Sequence, residues 1–216
     1  MKKLGAALLL IMLSCVLVCG CKKNVKDNYK DNSFFNVLNK GYMVIGMDDA
    51  YPPMGFVNKN TGDIIGFDID VSSEVCARLG IKAKYQPINW STKEMELSNG
   101  DIDCIWNGMS KTEELSRSMN LSVPYMKTKQ CILVRSDSDY KTIDDIFGKI
   151  LCVQTDSSAE HAIDKNLTFK SSFKNIIDVD TYTMAILEIN NKTVDCIAMD
   201  ESVARYYMNN FPHSYR

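Results

Sequence analysis

Two parts of this sequence place polar side chains where they could bind a small charged group. Asp200 ends an apolar run that starts at Val194, and a carboxylate buried at the end of a strand is costly unless a cation accompanies it. Ser157 and Ser158 open a predicted helix, and the free N–H groups of a helix N-terminus can bind an anion. The alternative for both serines is ordinary helix capping. All three residues are therefore candidates for ligand contacts.

The residue types that usually catalyse reactions or hold metals form no recognisable arrangement. The two histidines, His161 and His213, lie in no serine–carboxylate or cysteine pattern that would support catalysis. No glycine-rich phosphate loop and no metal-ligand spacing occurs. The net charge of −2 comes without a basic run, so the electrostatic signature of nucleic-acid binding is missing. The sequence predicts no enzyme activity, no metal, no cofactor and no nucleic-acid partner.

The elements that must position these residues alternate between strand and helix. Short apolar runs predict strands at residues 42–46, 81–85, 103–106, 130–135, 150–154, 176–179 and 194–199. Helices are predicted at residues 70–80, 93–99, 143–147, 157 onward, 183–189 and 201–208. This alternation is typical of an α/β fold with a mostly parallel sheet. The pattern restarts near residue 128, which predicts two lobes, at residues 41–127 and 128–216.

The first of these helices follows a turn and has a predicted buried face. Asp70 can cap the helix, and Val71, Val75 and Leu79 would lie on one side of it. Asp68 and Asp70 are interpreted as residues of the turn and the helix cap, so neither is predicted to contact a ligand.

The first twenty residues have the layout of a secretory signal peptide. A basic start, Met1-Lys2-Lys3, precedes 16 uncharged residues at positions 4–19. A membrane-spanning helix is the alternative, but a bilayer span needs about 20 apolar residues. Residues 1–20 are therefore predicted to be the signal peptide. Residues 21–40 begin with polar and charged side chains and are predicted to be a flexible tether.

The cysteines of the folded region are predicted to be buried, free thiols. Their number is odd, each lies in an apolar stretch, and no pair has a CxxC spacing. They are Cys76, Cys104, Cys131, Cys152 and Cys196.

Six motifs occur in order along the chain. They are GMDDAYPP (46–53), GFDID (66–70), GDIDCIWNGM (100–109), PY (124–125), VQTDSSAE (153–160) and VDCIAMDE (194–201). Together they resemble the family 3 extracellular solute-binding proteins, the polar-amino-acid receptors of ABC importers, from about residue 41 to the end. The resemblance implies a type II periplasmic-binding-protein-like fold, in which two α/β lobes joined by hinge strands close on a ligand. It also implies an incomplete first lobe, because in the family a second hinge strand follows this region.

The resemblance assigns ligand contacts to residues that follow the predicted strands. Aromatic side chains at Tyr51 and Trp90 would enclose the ligand, and Asp200 would bind its ammonium group. The residues that match contacts to a ligand carboxylate are Asn107, Gly108, Met109, Ser110 and Thr112, and Asp48 matches a further contact position. Ordinary packing of the aromatic residues, and local capping by Ser110 and Thr112, are the alternatives.

One position departs from the family pattern. Three residues past the threonine, the family has an arginine that clamps the ligand carboxylate, whereas this sequence has Leu115. Arg117 lies two residues further on, about 200° round a helix, and would point away. Either the ligand lacks a carboxylate, or Arg117 reaches it through a shifted loop.

The end of the leader, Val18-Cys19-Gly20-Cys21, resembles a bacterial lipobox, in which an acylated cysteine becomes the new N-terminus. Cys21 fits best and Cys15 fits less well; a signal peptide without lipidation is the alternative. The sequence thus predicts a monomeric extracytoplasmic lipoprotein, anchored to the cell membrane. Its predicted function is to bind a small polar solute, an amino acid or related amine, for delivery to an ABC-type permease. A same-fold enzyme similar to cyclohexadienyl dehydratases and a sensory ligand-binding module are the alternatives.

Overall fold

The structure, a computed structural model, describes residues 31–216. The predicted signal peptide and the predicted acylation site, Cys21, lie outside the described residues. Residues Ser33–Arg216 form one compact unit. Within the described range, no helix is both long enough and apolar enough to cross a bilayer.

Strands and helices alternate along this unit. The strands are β1 (Tyr42–Met47), β2 (Ala50–Tyr51), β3 (Gly55–Val57), β4 (Ile64–Ile65), β5 (Lys82–Pro87), β6 (Cys104–Ile105), β7 (Gln130–Val134), β8 (Ile150–Gln154), β9 (Asn175–Val179) and β10 (Cys196–Asp200). The helices are α1 (Ser33–Lys40), α2 (Phe67–Arg78), α3 (Lys93–Asn99), α4 (Leu115–Ser118), α5 (Ser158–Lys165), α6 (Leu167–Ser171), α7 (Tyr182–Asn190) and α8 (Glu201–Asn210). Short 3₁₀ turns occur at Trp90–Thr92 and Ile143–Ile146.

The strands form two main sheets and one small sheet. The first main sheet has the order β5-β1-β6 and is parallel throughout. The second has the order β7-β10-β8-β9, in which only β7 runs antiparallel to its neighbour. Strands β2, β3 and β4 form a small antiparallel sheet between β1 and α2 in the sequence. The predicted α/β class with mostly parallel strands is confirmed.

The second main sheet carries the larger core. Its central strand β10 is buried along its whole length, as expected when both faces of a sheet are covered. Alternate residues face two apolar clusters: Ile197 and Met199 pack with α7 and α8, whereas Cys196 and Ala198 pack with α5. The first main sheet has a smaller cluster around Ile45. The second sheet is thus the more deeply enclosed of the two.

The last part of the predicted tether, Ser33–Lys40, is not a flexible segment but forms helix α1. Residues 33–40 are polar at both ends, but Val37 is buried in the cluster around Ile45, and Leu38 packs against it. Lys40 adds an ion pair with Asp103, with 2.6 Å between its Nζ and the carboxylate. This apolar side is why the segment folds onto the first sheet.

Helix α2 starts earlier than predicted and buries a different face. It begins at Phe67, not after Asp70, because the N–H groups of Phe67 and Asp68 donate to the carbonyls of Pro53 and Met54. Those bonds satisfy N–H groups that a helix start leaves free. The residues that face inward are Asp68, Ile69, Ser72 and Cys76, whereas the predicted face of Val71, Val75 and Leu79 is half-buried or exposed.

The five cysteines of the described residues are free, as predicted, but only Cys76, Cys152 and Cys196 are fully buried, whereas Cys104 and Cys131 are partly buried. Burial raises the pKa of each thiol, to about 12 for Cys152 and Cys196. They serve as small apolar side chains within the cores.

Candidate functional site

A small cavity lies where the carboxyl ends of strands from both main sheets meet. Its walls come from residues at or shortly after the carboxyl ends of β5, β6, β8, β9 and β10, and from Tyr51 in β2, the strand after β1. They are Tyr51, Trp90, Asn107, Gly108, Met109, Ser110, Gln154, Ser157, Ser158, Tyr182 and Asp200. Ligands of open α/β sheets bind in crevices beyond the carboxyl ends of the strands. Nine of the eleven wall residues are those that the sequence analysis selected.

Asp200 is the charged residue in the cavity wall, and neutral groups surround it. Tyr51 donates from its hydroxyl to Oδ2 at 2.8 Å, and Gln130 donates from Nε2 to Oδ1 at 2.7 Å. Tyr51 belongs to the small sheet and Asp200 to the second main sheet, so this hydrogen bond closes the cavity from both sides. Burial raises the pKa of Asp200, although these hydrogen bonds partly oppose it. The carboxylate is therefore costly to ionise in this state.

A second buried carboxylate, Asp48, lies behind the cavity wall. Its Oδ2 accepts a hydrogen bond from Gln154 Nε2 at 2.7 Å, and its Oδ1 accepts from the N–H of Ala50. Burial raises the pKa of Asp48, and the nearby charge of Asp49 raises it further. Asp48 itself is not part of the wall, but Gln154 connects it to the cavity.

Aromatic rings fill much of the space between the two sides. The rings of Tyr51 and Tyr182 lie 5.7 Å apart at an angle of 36°. The volume left inside is about 10 Å³, close to the ~10–15 Å³ that one water molecule requires. A solute larger than water therefore has to separate the two sides, and the Tyr51–Asp200 hydrogen bond is the contact it would break.

Some buried polar atoms at the cavity have no hydrogen-bond partner among the described residues. They are Asn107 Oδ1 and Tyr182 Oη in the wall, and Gln130 Oε1 beside Asp200. Buried polar atoms in native proteins are normally paired. Two of the three are carbonyl oxygens, which can only accept hydrogen bonds.

The wall segment 107–110 is fixed in place by a buried carboxylate that the sequence analysis assigned to the turn and helix cap. Asp68 makes no capping bond; it accepts from the hydroxyl of Tyr125 at 2.8 Å, and that hydroxyl accepts from the N–H of Gly108 at 3.3 Å. Burial raises the pKa of Asp68 to about 6, despite the hydrogen bond from Tyr125. Asp68 thus acts on the cavity through Tyr125 and Gly108.

A charged contact beside the cavity joins the two sides of the cleft. The ammonium group of Lys93, at the start of α3, binds the carboxylate of Asp156 and lies 3.2 Å from the carbonyl of Trp90. His161 Nε2 lies 2.7 Å from the other oxygen of Asp156. Burial favours the neutral acid, but hydrogen bonds and charge from Lys93 and His161 outweigh it and lower the pKa of Asp156. We refer to Lys93, Asp156 and His161 as the bridge.

The remaining predicted contact, Thr112, lies outside the cavity wall. Its Oγ1 accepts a hydrogen bond from the N–H of Leu115 at 3.1 Å, so it caps the short helix α4 locally. Arg117 is 76% exposed at its side chain and pairs with Glu113 at 2.7 Å. In this structure it does not reach the cavity through a shifted loop.

Two wall residues, Gln154 and Tyr182, were not predicted from the sequence. Gln154 is the last residue of β8, and Tyr182 is the first of α7 after β9. Both follow the carboxyl ends of parallel strands, the same signal that identified Asp200. Among residues 31–216, no group of three or more His, Cys, Asp or Glu side chains could hold a metal.

This geometry agrees with comparisons to known proteins. Residues 43–213 match the family described as bacterial extracellular solute-binding proteins, family 3. The chain belongs to this family, and its fold is the type II periplasmic-binding-protein fold.

Curated relatives include binding proteins for several amino acids. The chain is 25% identical over 214 residues to the ABC transporter glutamine-binding protein of Bacillus subtilis, covering 94% of this chain and 76% of that one. It is 26% identical over 152 residues to the L-cystine-binding protein TcyA of the same organism, covering 68% of this chain and 56% of that one. It thus spans little more than half of the cystine-binding relative.

Solved structures show the same fold at higher identity. An ABC uptake transporter substrate-binding protein from Streptococcus pneumoniae, with bound histidine, superposes with a TM-score of 0.82 and 33% identity. The match covers 87% of this chain and 77% of that protein. The holo form of ArgBP from T. maritima has a TM-score of 0.76 and 31% identity, over 84% of this chain and 78% of the other.

Proposed function

We propose that this chain binds a small solute with an ammonium group, an amino acid or a related amine, and delivers it as a monomer to an ABC-type permease. The proposal rests on the environment of Asp200. Its carboxylate is buried in a cavity formed at the carboxyl ends of both main sheets, and its hydrogen-bond donors among the described residues are neutral groups, with Tyr51 and Gln130 the closest. A ligand ammonium group would supply the missing positive charge.

The two main sheets would form the cores of two lobes, residues 41–127 and 128–216, which move apart to admit the ligand. Tyr51 and Asp200 come from opposite sides of the cavity, and the volume between them is about 10 Å³. A ligand that contacts both sides stabilises the closed state over the open one in proportion to its differential affinity. Closure would then be the signal that a permease recognises.

The proposed ligand contacts have distinct roles. Tyr51, Trp90 and Tyr182 supply flat apolar surface at little cost in side-chain entropy. Polar contacts would come from Asn107, Gly108, Met109, Ser110, Ser157 and Ser158, which line the cavity. Asp48 would act indirectly, by orienting Gln154 through their 2.7 Å hydrogen bond. Thr112 would act by capping α4 next to the 107–110 segment.

We further propose that the protein works outside the cytoplasm, anchored to the membrane by acylation of Cys21 after removal of residues 1–20. The support is the sequence alone: a basic start, 16 uncharged residues, and a small residue before the cysteine. Several acyl chains hold a protein firmly, at about 0.8 kcal/mol for each buried methylene. Mass spectrometry of the membrane fraction, with Cys21→Ser as the comparison, would detect the lipid or its absence.

Thermal melts of the purified chain against a panel of amino acids, amines and neutral sugars would test the binding function. A ligand that binds only the folded state stabilises it by about 2.7 kcal/mol at one hundred times its dissociation constant. We expect a rise in the melting temperature with compounds that carry an ammonium group and none with sugars. A cooperative melt that no amine or amino acid shifts would contradict the proposal.

A further inference from the structure

The cavity wall has no group that could neutralise an anion. Of its eleven residues, Asp200 carries a charge, and none is a lysine, arginine or histidine. Asp48 adds a second carboxylate one residue behind the wall, through Gln154. A ligand carboxylate brought into this site would face two acidic groups in a low-dielectric space, where like charges cost the most.

Two cationic side chains beside the cavity, Lys93 and Arg117, already have partners. The Lys93 ammonium group binds Asp156 and the carbonyl of Trp90, and its side chain is 3% exposed, so it has little freedom to turn towards the cavity. Arg117 lies on the surface, where it pairs with Glu113. Neither of these two side chains is therefore available to bind a ligand carboxylate.

The helix that starts at the cavity is also occupied. The N-terminus of α5 attracts negative charge, but two acidic side chains of the protein already lie there. Glu160 accepts from the N–H of Asp156 at 2.5 Å, Asp156 is held by the bridge, and the hydroxyl of Ser157 accepts from the N–H of Glu160. The partial positive charge of this helix end is thus compensated from within the chain.

Two of the three unpaired polar atoms at the cavity can only accept hydrogen bonds, whereas the third, Tyr182 Oη, can donate or accept. Gln130 uses its Nε2 to donate to Asp200, which leaves Oε1 as a buried acceptor with no partner among the described residues. Asn107, which is 3% exposed and lines the cavity, likewise has an unpaired Oδ1. An ammonium group has three N–H donors and no acceptor, whereas a carboxylate only accepts. The available acceptors match the first group and not the second.

We infer that the natural ligand is a small cation without a carboxylate group, such as a decarboxylated amino acid, held by Asp200 with help from Gln130 and Asn107. This inference rests on the proposed function and narrows it from amino acids and amines to amines. The cavity wall contains no positively charged side chain to bind an α-carboxylate. The site should therefore bind an amine more tightly than the amino acid that has the same side chain.

Isothermal titration calorimetry with matched ligands tests this inference. Each set contains an amino acid, its methyl ester and the amine that lacks the carboxylate, so the side chain stays the same within a set. The first set is arginine, arginine methyl ester and agmatine. The second set is histidine, histidine methyl ester and histamine. The ester removes the charge of the carboxylate and adds a methyl group to its volume. In at least one set, we expect both the ester and the amine to bind at least about tenfold more tightly than the amino acid, because like-charge contacts in an interior are strongly unfavourable.

The possible outcomes separate this inference from the proposed function. Tighter binding of the amino acid than of its ester and amine would overturn the inference but leave the proposed function in place. Binding of the amine but not the ester would overturn the like-charge argument behind the inference, because exclusion by size would then be sufficient. Binding of neutral sugars alone, or of no compound, would overturn both.

Discussion

The cavity and the bridge contain two carboxylates in opposite circumstances. Asp156, in the bridge, is about a third exposed, and the chain supplies it with both Lys93 and His161. Asp200, in the cavity, is 5% exposed, and the chain supplies it only with neutral donors. The pKa of Asp156 is lowered and the pKa of Asp200 is raised as a result.

This difference indicates that Asp200, and not Asp156, is the carboxylate that would pair with a charged ligand. An ionised carboxylate needs a positive partner more as it becomes less exposed to water. Lys93 pairs with Asp156, the more exposed of the two carboxylates. Asp200, the more buried one, has no cationic partner among the described residues. Such an arrangement is unfavourable for stability, and binding sites are where proteins tolerate that cost.

The largest expected effect comes from Asp200→Asn. The variant keeps the shape of the side chain but removes the charge, so a bound amine would lose its counter-ion. Truncating one partner of a buried charge pair costs roughly 2–5 kcal/mol. We therefore expect agmatine, or whichever amine binds most tightly, to lose about 30-fold or more in affinity by calorimetry.

A matched control for this variant lies at the other end of the same strand. Asp195 accepts from the hydroxyl of Tyr140 at 2.8 Å, as Asp200 does from Tyr51, but it precedes β10 and is not part of the cavity wall. Asp195→Asn should leave the affinity unchanged. Equal losses in the two variants would mean that Asp200 acts through the fold and not through its charge.

Lowering the pH should weaken amine binding by up to about tenfold per pH unit below the pKa of Asp200. Burial raises the pKa of both Asp200 and Asp48, so protonation removes their charge at a higher pH than in an exposed aspartate. Agmatine keeps its charge across this range, so any change in affinity comes from the protein. Calorimetry from pH 7 to pH 5 measures it.

Asp200→Asn again provides the comparison for the pH dependence. It should flatten the profile, while any slope that remains would come from another ionisable group, such as Asp48 or Asp68, whose pKa is about 6. An unchanged profile in the variant would show that Asp200 is not the group that responds to pH.

Lys93→Met should have a moderate effect on affinity, because the bridge joins the two sides of the cleft without lining the cavity. We expect about a fivefold loss and faster ligand dissociation, since a partly exposed ion pair contributes at most about 1 kcal/mol. Lys170→Met is the control, because Lys170 pairs with Asp164 on the surface at 2.7 Å, away from the cleft. A lower melting temperature with unchanged affinity would assign the bridge to the fold alone.

The parts of this site that the sequence predicts are those fixed by local patterns. Apolar runs such as 194–199 locate buried strands, and the residue after each parallel strand lies at the ligand edge of the sheet. This rule, together with the family resemblance, selected nine wall residues, including Trp90 and Asp200. Applied to β8 and β9 it would also have selected Gln154 and Tyr182.

The bridge and the buried face of α2 could not be predicted in the same way. Lys93 and Asp156 are 63 residues apart, and no spacing rule relates them. Helix α2 turns Asp68 and Ser72 inward because Tyr125 and Tyr85 supply hydrogen-bond partners from elsewhere in the fold. Hydrophobic periodicity assigns such polar residues to the surface, so the predicted face was wrong.

The smallest expected effects are on stability, and they should have opposite signs at the two carboxylates. The raised pKa of Asp200 means that the folded, ligand-free protein holds a proton there more tightly than the unfolded chain. Its contribution to stability is therefore present below its ordinary pKa of 3.8 and is lost as the pH rises through the raised value. For Asp156 the pKa is lowered, so its contribution is present above 3.8 and is lost as the pH falls through the lowered value.

Urea unfolding without ligand at pH 7 should therefore separate Asp200→Asn from Asp156→Asn. The first should raise the free energy of unfolding by about 1 kcal/mol, because it removes a buried charge that has no cationic partner. The second should lower it by at most about 1 kcal/mol, because water screens the partly exposed bridge. The first difference should shrink as the pH falls from the raised pKa of Asp200 to 3.8, and the second as the pH falls below 3.8 through the lowered pKa of Asp156. A loss of stability in Asp200→Asn at pH 7 would mean that Tyr51 and Gln130 already stabilise the ionised carboxylate, and that the cavity holds no charge in reserve for a ligand.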